Sequence, residues 1–277
     1  MTNISDLWDF GDPVASEERF REAADEAVNG YAKGLALTQL ARAQGLQGRF
    51  EAARATLEAA KNLIGDEATA ALAQYWLELG RVENSSGNAS EAMPHFGKAL
   101  LLAKALGEEY AALDAAHMLA IAAPLEEQPK YGQIALDLLS DAKDERALHW
   151  RGPIVNNLGW AYMDLNQPAN ALPYFRQSLE FRISQGTEAP IRFARYSLGS
   201  VLRAVGEFVE ALSVLHEALA MGGSVGYVEE EIGECLFSLG RLEEARHFFG
   251  EAHAKLLANT DLAESDPARV ARILDRA

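Results

Sequence analysis

Residues Asn156–Leu179 read NNLGWAYMDLNQPANALPYFRQSL, and this stretch decides the fold. Its first part has apolar side chains at i, i+3, i+4 and i+7, the spacing of one helix face: Leu158, Ala161, Tyr162 and Leu165. Turn residues then follow at Asn166–Pro168. The second part carries its own apolar face: Ala171, Leu172, Phe175 and Leu179. The stretch therefore predicts a helix–turn–helix unit.

The second-helix pattern Ala-x-x-x-[Phe/Leu]-x-x-[Ala/Ser] recurs six times along the chain, at intervals of 34 to 43 residues. The copies are Ala53-Leu57-Ala60, Ala92-Phe96-Ala99, Ala135-Leu139-Ala142, Ala171-Phe175-Ser178, Ala211-Leu215-Ala218 and Ala245-Phe249-Ala252. Self-similarity at this period is typical of helical arrays, in which each repeat buries its apolar face against its neighbours. Such an array offers an extended surface to a partner and brings no chemistry of its own.

Small residues recur at one position of the first helix, where we expect the second helix to approach closely. These residues are Ala41, Gly80, Gly159, Gly199 and Gly233. A glycine inside a helix costs about 1 kcal/mol relative to alanine, so its repeated use requires a packing reason. Short turns join the paired helices: Gly48-Arg49-Phe50, Gly87-Asn88-Ala89, Gly206-Glu207-Phe208 and Gly240-Arg241-Leu242. Glycine suits the left-handed residue that ends a helix.

This pattern resembles the tetratricopeptide repeat, with its Leu-Gly…Tyr…Gly-x-[aromatic]-x-x-Ala-x-x-x-Phe-x-x-Ala signature. The fourth unit matches it most fully, through Leu158-Gly159, Tyr162, Ala171, Phe175 and Ser178. The resemblance covers about residues 31–258, and most steps exceed the usual 34 residues. Longer repeats are similar to the subgroup that includes kinesin light chains and peptide-sensing bacterial regulators. The resemblance implies an all-α, right-handed superhelical solenoid of about six helix–turn–helix repeats.

The predicted organisation is an N-terminal tail over residues 1–15 and a single solenoid over residues 16–277. The repeats are expected at about 31–65, 68–107, 110–147, 152–186, 190–223 and 226–259, with a C-terminal cap over 266–276. A helix over Ser16–Asn29 is predicted to act as a half-repeat cap, and Asp266 and Pro267 to start the last helix. In the third unit, Pro124–Lys130 replaces the tight turn and predicts an extended connection, either a tolerated insertion or a functional loop.

Composition limits the partners. Lys plus Arg number 25 and Asp plus Glu number 41, so the formal net charge is −16. This disfavours nucleic acid and anionic membranes, which require clustered basic residues. It suits a protein or peptide of basic or neutral character, although solubility alone also explains it. Cys235 is the single cysteine, no secretory signal precedes the repeats, and no apolar stretch spans a bilayer, so the predicted compartment is the cytoplasm.

In stacked repeats of this kind the first helices line the concave surface, where we place the partner-binding residues. The predicted set is Asn156, Trp160, Asp164, Arg192, Arg195, Tyr196, Arg203, Tyr227, Glu230, Glu234 and His117. Aromatic residues and Arg are enriched at binding hot spots. The Asn156 amide can donate to and accept from one peptide unit, and the resemblance implies this role. Alternatively, Asn156 ties adjacent helices together and Trp160 packs between repeats.

The N-terminal tail contains Asp6-Leu7-Trp8-Asp9-Phe10, a tryptophan between acidic residues. It is similar to the tryptophan-acidic peptides that kinesin light chains bind. Two interpretations are open. The segment occupies a groove of this chain or of a neighbour, or Leu7, Trp8 and Phe10 cover the apolar edge of the first helices.

Signatures of chemistry are absent. The six histidines lack metal-ligand spacing, and no phosphate loop, nucleophile elbow or paired cysteine occurs. The run Glu229–Glu231 with Glu234 is either a helix start stabilised by the dipole or a site for Ca²⁺ or a basic peptide. The paired Lys and Asn set of chaperone-tail clamps is missing. The sequence thus predicts no catalytic residue, metal or cofactor. It predicts an interaction module that captures an extended segment or, alternatively, a self-associating array that forms a homo-oligomer.

Overall fold

The computed structural model of the protein describes residues 4–277, and for residues 260, 262 and 263 it describes the backbone alone. The chain divides into two compact units, the first ending at Trp150 and the second beginning at Arg151. Every regular element in the described part is a helix. Antiparallel helix pairs stack within each unit, so the predicted all-α repeat solenoid is confirmed.

Unit 1 contains three helix pairs and an additional helix at each end. Its α-helices are α1 (Pro13–Asp25), α2 (Gly30–Leu46), α3 (Phe50–Ile64), α4 (Ala70–Ser85), α5 (Ala89–Leu106), α6 (Glu109–Ala122), α7 (Gln128–Asp141) and α8 (Glu145–Leu148). Two 3₁₀ turns span Ile4–Leu7 and Leu125–Glu127. The first helices of its repeats are α2, α4 and α6, and the second helices are α3, α5 and α7.

Unit 2 contains the remaining three pairs. Its helices are α9 (Arg151–Asp164), α10 (Pro168–Gln185), α11 (Glu188–Ala204), α12 (Phe208–Ala220), α13 (Tyr227–Ser238), α14 (Leu242–Leu257), α15 (Thr260–Ser265) and α16 (Pro267–Leu274). The first helices are α9, α11 and α13, and the second helices are α10, α12 and α14. A single apolar core joins the three pairs, and Ile273 of α16 closes it.

The core forms where the small residues of first helices meet the large residues of second helices. A Cβ added to Gly159 would lie 2.8 Å from the Phe175 ring, and one added to Gly199 would overlap the Leu215 side chain. Phe175 and Leu215 are fully buried. These positions leave no room for a side chain, so the predicted packing role of the glycines is confirmed. Large residues on second helices and small ones on first helices therefore set the spacing within each pair.

The turns between paired helices end in the left-handed region, as predicted. Gly48, Gly87, Gly206 and Gly240 have φ values of 73°, 91°, 86° and 75°. In the fourth repeat Asn166 takes this place with φ of 55°, which asparagine tolerates better than most residues.

Several helix boundaries differ from the predictions. The first helix spans Pro13–Asp25 rather than Ser16–Asn29, because the Asp12 carboxylate caps it and the Asn29 side chain instead caps α2. Pro129 lies in the first turn of α7, so only the part of the third-repeat connection around Pro124 is extended.

The C-terminal part of unit 1 also contains an element that periodicity did not predict, the one-turn helix α8. In the last helix, Asp266 accepts a hydrogen bond from the Arg269 N–H at 3.0 Å and Pro267 occupies the first turn, as predicted. That helix ends at Leu274.

Candidate functional site

The first helices of unit 1 are joined by a ladder of four charged side chains, Arg42, Glu78, Arg81 and Asp114. Arg81 Nη1 lies 2.6 Å from Glu78 Oε1, and its Nη2 pairs with Asp114. Arg42 lies 3.8 Å from the same Glu78 oxygen. Glu78 and Asp114 are buried. The ladder thus connects α2, α4 and α6 through paired charges, although Glu78 Oε2 stays buried without a hydrogen-bond partner in the described part of the chain.

Electrostatics within this ladder follows from burial. Burial alone would lower the pKa of Arg81, but Asp114 and Glu78 outweigh it, so the pKa is raised. For Arg42, burial and the nearby Arg81 lower the pKa, and the carboxylates oppose them only in part. Arg81 is therefore held as the central cation of the ladder.

His117, the one predicted binding residue in unit 1, lies one turn after Asp114 and is only 9% exposed. Its ring centroid is 4.8 Å from that of Trp150. Burial lowers the pKa of His117 to about 4, although Asp114 opposes this shift. A neutral, buried imidazole against a tryptophan has the surroundings of a core residue.

The N-terminal segment packs on α1 and α2. The Trp8 indole N–H donates to Gln39 Oε1 at 2.8 Å, and its ring lies 4.8 Å from Phe20. Leu7 and Trp8 border the cluster of Phe20, Leu40 and Ala43. These contacts support the interpretation that the segment covers the apolar edge of the first helices. Phe10 does not help to cover this edge, since its ring stacks on Trp8 but stays exposed.

Unit 2 carries a row of aromatic side chains across its first helices. Trp160 of α9, Tyr196 of α11 and Tyr227 of α13 follow one another with ring centroids 6.3 Å apart at each step. All three are half-buried. Burial raises the pKa of Tyr196, and the Glu231 charge adds to this effect. The structure therefore brings these three predicted residues together as one surface, which we call the aromatic row.

One end of the aromatic row is bordered by ion pairs with α16 and with Arg276, just beyond its end. Glu230 accepts from Arg269 at 2.5 Å and from Arg272 at 3.5 Å, while Glu234 pairs with Arg276. The Arg269 guanidinium also lies 4.3 Å from the Tyr227 ring centroid. The predicted binding residues Glu230 and Glu234 thus pair with α16 and with Arg276 just beyond its end.

Arg203 and the remaining acidic side chains of α13 are similarly paired. Arg203 lies 2.5 Å from Glu231, and Lys255 pairs with the buried Glu229. Since each of the four carboxylates of this cluster has a basic partner, the arrangement does not support the Ca²⁺ alternative. The cluster stabilises the contact of α13 with its neighbours.

Two further predicted residues, Arg192 and Arg195, point toward the C-terminal end of α12. Arg192 donates to the Gly222 carbonyl at 2.7 Å. Arg195 lies 3.0 Å from Glu217 and 3.2 Å from the Met221 sulfur. Both arginines therefore have intrachain partners on the adjoining second helix.

The other end of the aromatic row holds Asn156 and a pocket of about 350 Å³. Its lining comprises Asn156, Ser178, Arg182, Ala189, Pro190, Phe193 and Ala194. The Asn156 Oδ1 atom is buried and accepts no hydrogen bond within the described part of the chain, and its Nδ2 reaches Asn157 only at 3.5 Å. Asp164 lies apart from this pocket, exposed at the end of α9. Asn156 is therefore the predicted residue whose polar group is least satisfied.

Sequence reasoning missed two groups of residues. Arg269 and Arg276 of the C-terminal cap were not singled out, yet they pair with Glu230 and Glu234 of α13. Arg182 was not singled out, because it lies on a second helix. A comparison of the repeats would have identified it, since most equivalent positions hold aliphatic or small residues.

The tetratricopeptide repeat family matches the chain in three segments, residues 34–59, 154–184 and 196–259. The first segment lies within α2–α3 of unit 1, and the other two cover most of unit 2. No curated protein matches the sequence. Within the described part of the chain, every helix is too short or too polar to cross a lipid bilayer.

Solved structures with similar folds have low sequence identity to this chain. BtubC (BKLC) from P. vanneervenii is 19% identical, with 80% of this chain and 91% of that one covered and a TM-score of 0.62. The Signal Transduction ATPase with Numerous Domains protein from Pyrococcus horikoshii, which has a tetratricopeptide repeat sensor, is 17% identical with a TM-score of 0.77. The match covers 92% of this chain but 41% of that protein.

A third similar structure is the apo form of RapI, at 14% identity and a TM-score of 0.78, with 96% of this chain and 77% of that one covered. Tetratricopeptide repeats serve as protein–protein interaction or scaffold modules, and the family is typically non-catalytic. The repeated helix pairs, the glycine–aromatic packing within them and the three matched segments lead to one assignment: this chain contains tetratricopeptide repeats.

Proposed function

We propose that unit 2 binds an extended segment of another protein along its aromatic row, in the role of a non-catalytic adaptor or scaffold. The observation that carries this proposal is the alignment of Trp160, Tyr196 and Tyr227 next to the unsatisfied amide of Asn156. Half-buried rings on rigid helices supply apolar contact area with little loss of side-chain entropy on binding.

Asn156 supplies the polar part of the proposed contact. A buried acceptor without a donor costs about 1–3 kcal/mol, and the N–H of a bound peptide unit would relieve that cost. At the same time the side-chain amide can donate to the next carbonyl. An extended main chain offers both groups at every residue, which suits a segment held partly by its backbone.

The net charge of −16 supports a partner of basic or neutral overall character, because long-range attraction favours such a chain. The proposal includes a cytoplasmic location, supported by a single, buried cysteine that forms no intramolecular disulfide. Arg203, Glu230 and Glu234 have intrachain partners, so we assign them to shaping the end of the row.

The test is selection of random peptides on the full-length protein, followed by fluorescence anisotropy with the selected peptides. We expect Tyr196→Ala and Asn156→Ala each to weaken binding about tenfold or more, since each removes a central contact. Val209→Ala is the matched control, because Val209 is 75% exposed on the second helix α12. Equal affinity for all three variants and the wild type would rule out the aromatic row as the binding surface.

Sedimentation equilibrium over a range of protein concentrations addresses the alternative of a self-associating array. A constant mass of one chain is expected under the proposal. A mass that rises with concentration, and is lowered by Tyr196→Ala, would instead assign the aromatic row to contacts between copies of this chain.

A further inference from the structure

Arg182 places a guanidinium where four of the other repeats have an aliphatic or small residue. The equivalent positions, at or just after the end of the second helix, hold Ile64, Ala103, Gly222 and Leu256. Ile64, Ala103 and Leu256 are buried core residues. In the fifth repeat, where this position is Gly222, the side chain of Arg192 from the first helix reaches it and donates a hydrogen bond to the Gly222 carbonyl.

The third repeat has an arginine at this position too, but its charge is paired. Arg146 there lies 2.6 Å from the Asp144 carboxylate and is largely exposed. Arg182 therefore differs from the residues at the equivalent positions of the other repeats. Those residues pack in the core, leave room for an arginine that donates a hydrogen bond, or form an ion pair.

The Arg182 side chain is held against the first helix of its own repeat. A Cβ on Gly152 would lie 2.7 Å from the Arg182 Cζ and 2.9 Å from its Nη2, so the absence of a side chain at Gly152 makes room for the guanidinium. Its aromatic neighbour is the adjacent Phe181, whose ring centroid is 5.8 Å away. The guanidinium therefore lies over the backbone of α9, near the start of that helix.

No partner in the described part of the chain satisfies this charge: Arg182 has no carboxylate within 4.0 Å and no hydrogen-bond acceptor. Burial lowers the pKa of Arg182, and no neighbouring carboxylate opposes the shift. A half-buried cation without a counter-ion is unfavourable in the free protein, which contrasts with Arg203 and its Glu231 partner. The contrast points to a partner from outside the chain.

The surroundings of Arg182 define the chemistry of that partner. The same pocket contains the Asn156 amide, whose buried Oδ1 lacks a donor, and Phe193, which is 50% exposed. Arginine binds carboxylates with two parallel N–H···O bonds, and the Asn156 oxygen accepts an N–H. Pro190 and Phe193 supply an apolar wall for the carbon atoms between these polar groups.

We infer that this pocket binds a carboxylate group of a protein segment, with the carboxylate on Arg182 and an adjacent amide N–H on Asn156. The inference deepens the proposed function and rests on it for the identity of the ligand as a protein segment. The overall negative charge of the chain disfavours a uniformly acidic segment. The proposed ligand is therefore a segment with one carboxylate at the position that meets Arg182. Its source is either an Asp or Glu side chain or the end of a chain.

The first test is a ¹⁵N NMR titration of the full-length protein with three probes. N-acetylaspartate α-amide carries a side-chain carboxylate, N-acetylalanine a terminal carboxylate, and N-acetylasparagine α-amide no charge. We expect saturable shifts of the Arg182 Nε–Hε and Asn156 side-chain signals with a carboxylate probe and none with the uncharged probe. The carboxylate probe that binds with the lower Kd shows whether the pocket prefers a side-chain or a terminal carboxylate. Absence of saturable shifts, or equal shifts with all three probes, would overturn the inference.

Variants separate recognition from folding. Arg182→Leu introduces the residue that Leu256 represents in the sixth repeat, so we expect the variant to fold and to lose at least about tenfold in affinity for the carboxylate probe. Arg176→Gln is the control on the same helix, because Arg176 is exposed and pairs with Glu210. Its affinity should match that of the wild type. An Arg182→Leu protein that binds the probe as well as the wild type does would refute the assignment.

Selected peptides distinguish failure of this inference from failure of the proposed function. Peptides that bind the wild type should contain a carboxylate at one position, and that preference should vanish on Arg182→Leu. Peptides that bind both proteins equally without such a preference would refute the carboxylate pocket while supporting the aromatic row. If no peptide binds but the probes shift Arg182, the proposed function fails and the carboxylate pocket stands.

Discussion

The two units differ in how far the charged side chains on and beside their first helices are paired within the chain. In unit 1, Arg42, Glu78, Arg81 and Asp114 pair across three helices, and Glu78 Oε2 is the atom of this ladder that stays buried without a hydrogen-bond partner in the described chain. In unit 2, Arg203 likewise pairs with Glu231, but the first helices also carry the aromatic row, and the nearby Arg182 has no counter-ion in the described chain. A polar side chain on the first-helix face is therefore a candidate for binding only where its neighbours leave it unsatisfied.

The largest expected effect comes from breaking the ladder of unit 1. Arg81→Met would leave the buried Glu78 and Asp114 without their shared cation, and the loss of one partner from a buried pair costs about 3–5 kcal/mol. Urea denaturation at pH 7 measures the free energy of unfolding. Arg176→Gln in unit 2 removes an exposed pair and should cost less than about 1 kcal/mol. A similar loss of unfolding free energy in both variants would contradict the view that the buried pairs of unit 1 matter more for stability than the exposed pair.

The next effect concerns pH and the same face of unit 1. Burial lowers the pKa of His117 to about 4, whereas an unfolded chain takes up that proton near pH 6.5. The unfolding free energy should therefore fall as the pH drops from about 6.5 to about 4 and be unaffected by this group above that window. The loss is about 2 kcal/mol at pH 5.

The His117 contribution is isolated by comparing the wild type with His117→Gln in urea denaturation at pH 7 and pH 5. Carboxylate titration acts on both proteins, so the wild type should lose more stability than the variant between these two values. An equal loss in the two proteins would show that His117 is not held neutral by burial.

A smaller effect is expected within the repeat core of unit 2. Gly199→Leu places a side chain where a Cβ alone would overlap Leu215, so the helices must separate. Overpacking of this kind costs about 1–3 kcal/mol. Thermal melting followed by circular dichroism measures the change. Gly250→Ala is the control, because a Cβ there meets no atom within 4 Å. An unchanged melting temperature for Gly199→Leu would contradict the packing of first helix against second.

The core and the turns could be predicted because both depend on residues close in the sequence. Gly159 and Phe175 belong to one repeat, and the turn glycines lie between paired helices. Each of these patterns also recurs, so one repeat supports the interpretation of the next. The cap of α16 was similarly visible in Asp266 and Pro267.

Ion pairs between repeats could not be predicted in this way. Arg81 pairs with Asp114 and Arg269 with Glu230, and these partners come together only through the stacking of successive helices. The place of Glu230 on a first helix made it a candidate for binding, whereas its position beside Arg269 gives it an intrachain role. Periodicity likewise gave no sign of α8, which is a single turn without an apolar repeat.

The smallest expected effect sharpens the comparison between the units, because it concerns a charge that contributes little to stability. Arg182→Leu replaces an unpaired guanidinium by the residue type that fills this position beside Gly226, so the unfolding free energy should stay within about 1 kcal/mol of the wild type or rise. Urea denaturation beside Arg81→Met measures both arginines under the same conditions. A large loss for Arg182→Leu would place Arg182 with the structural charges of unit 1. A neutral or stabilising result, together with the loss of carboxylate binding, would show that this arginine is retained for recognition at a cost to the free protein.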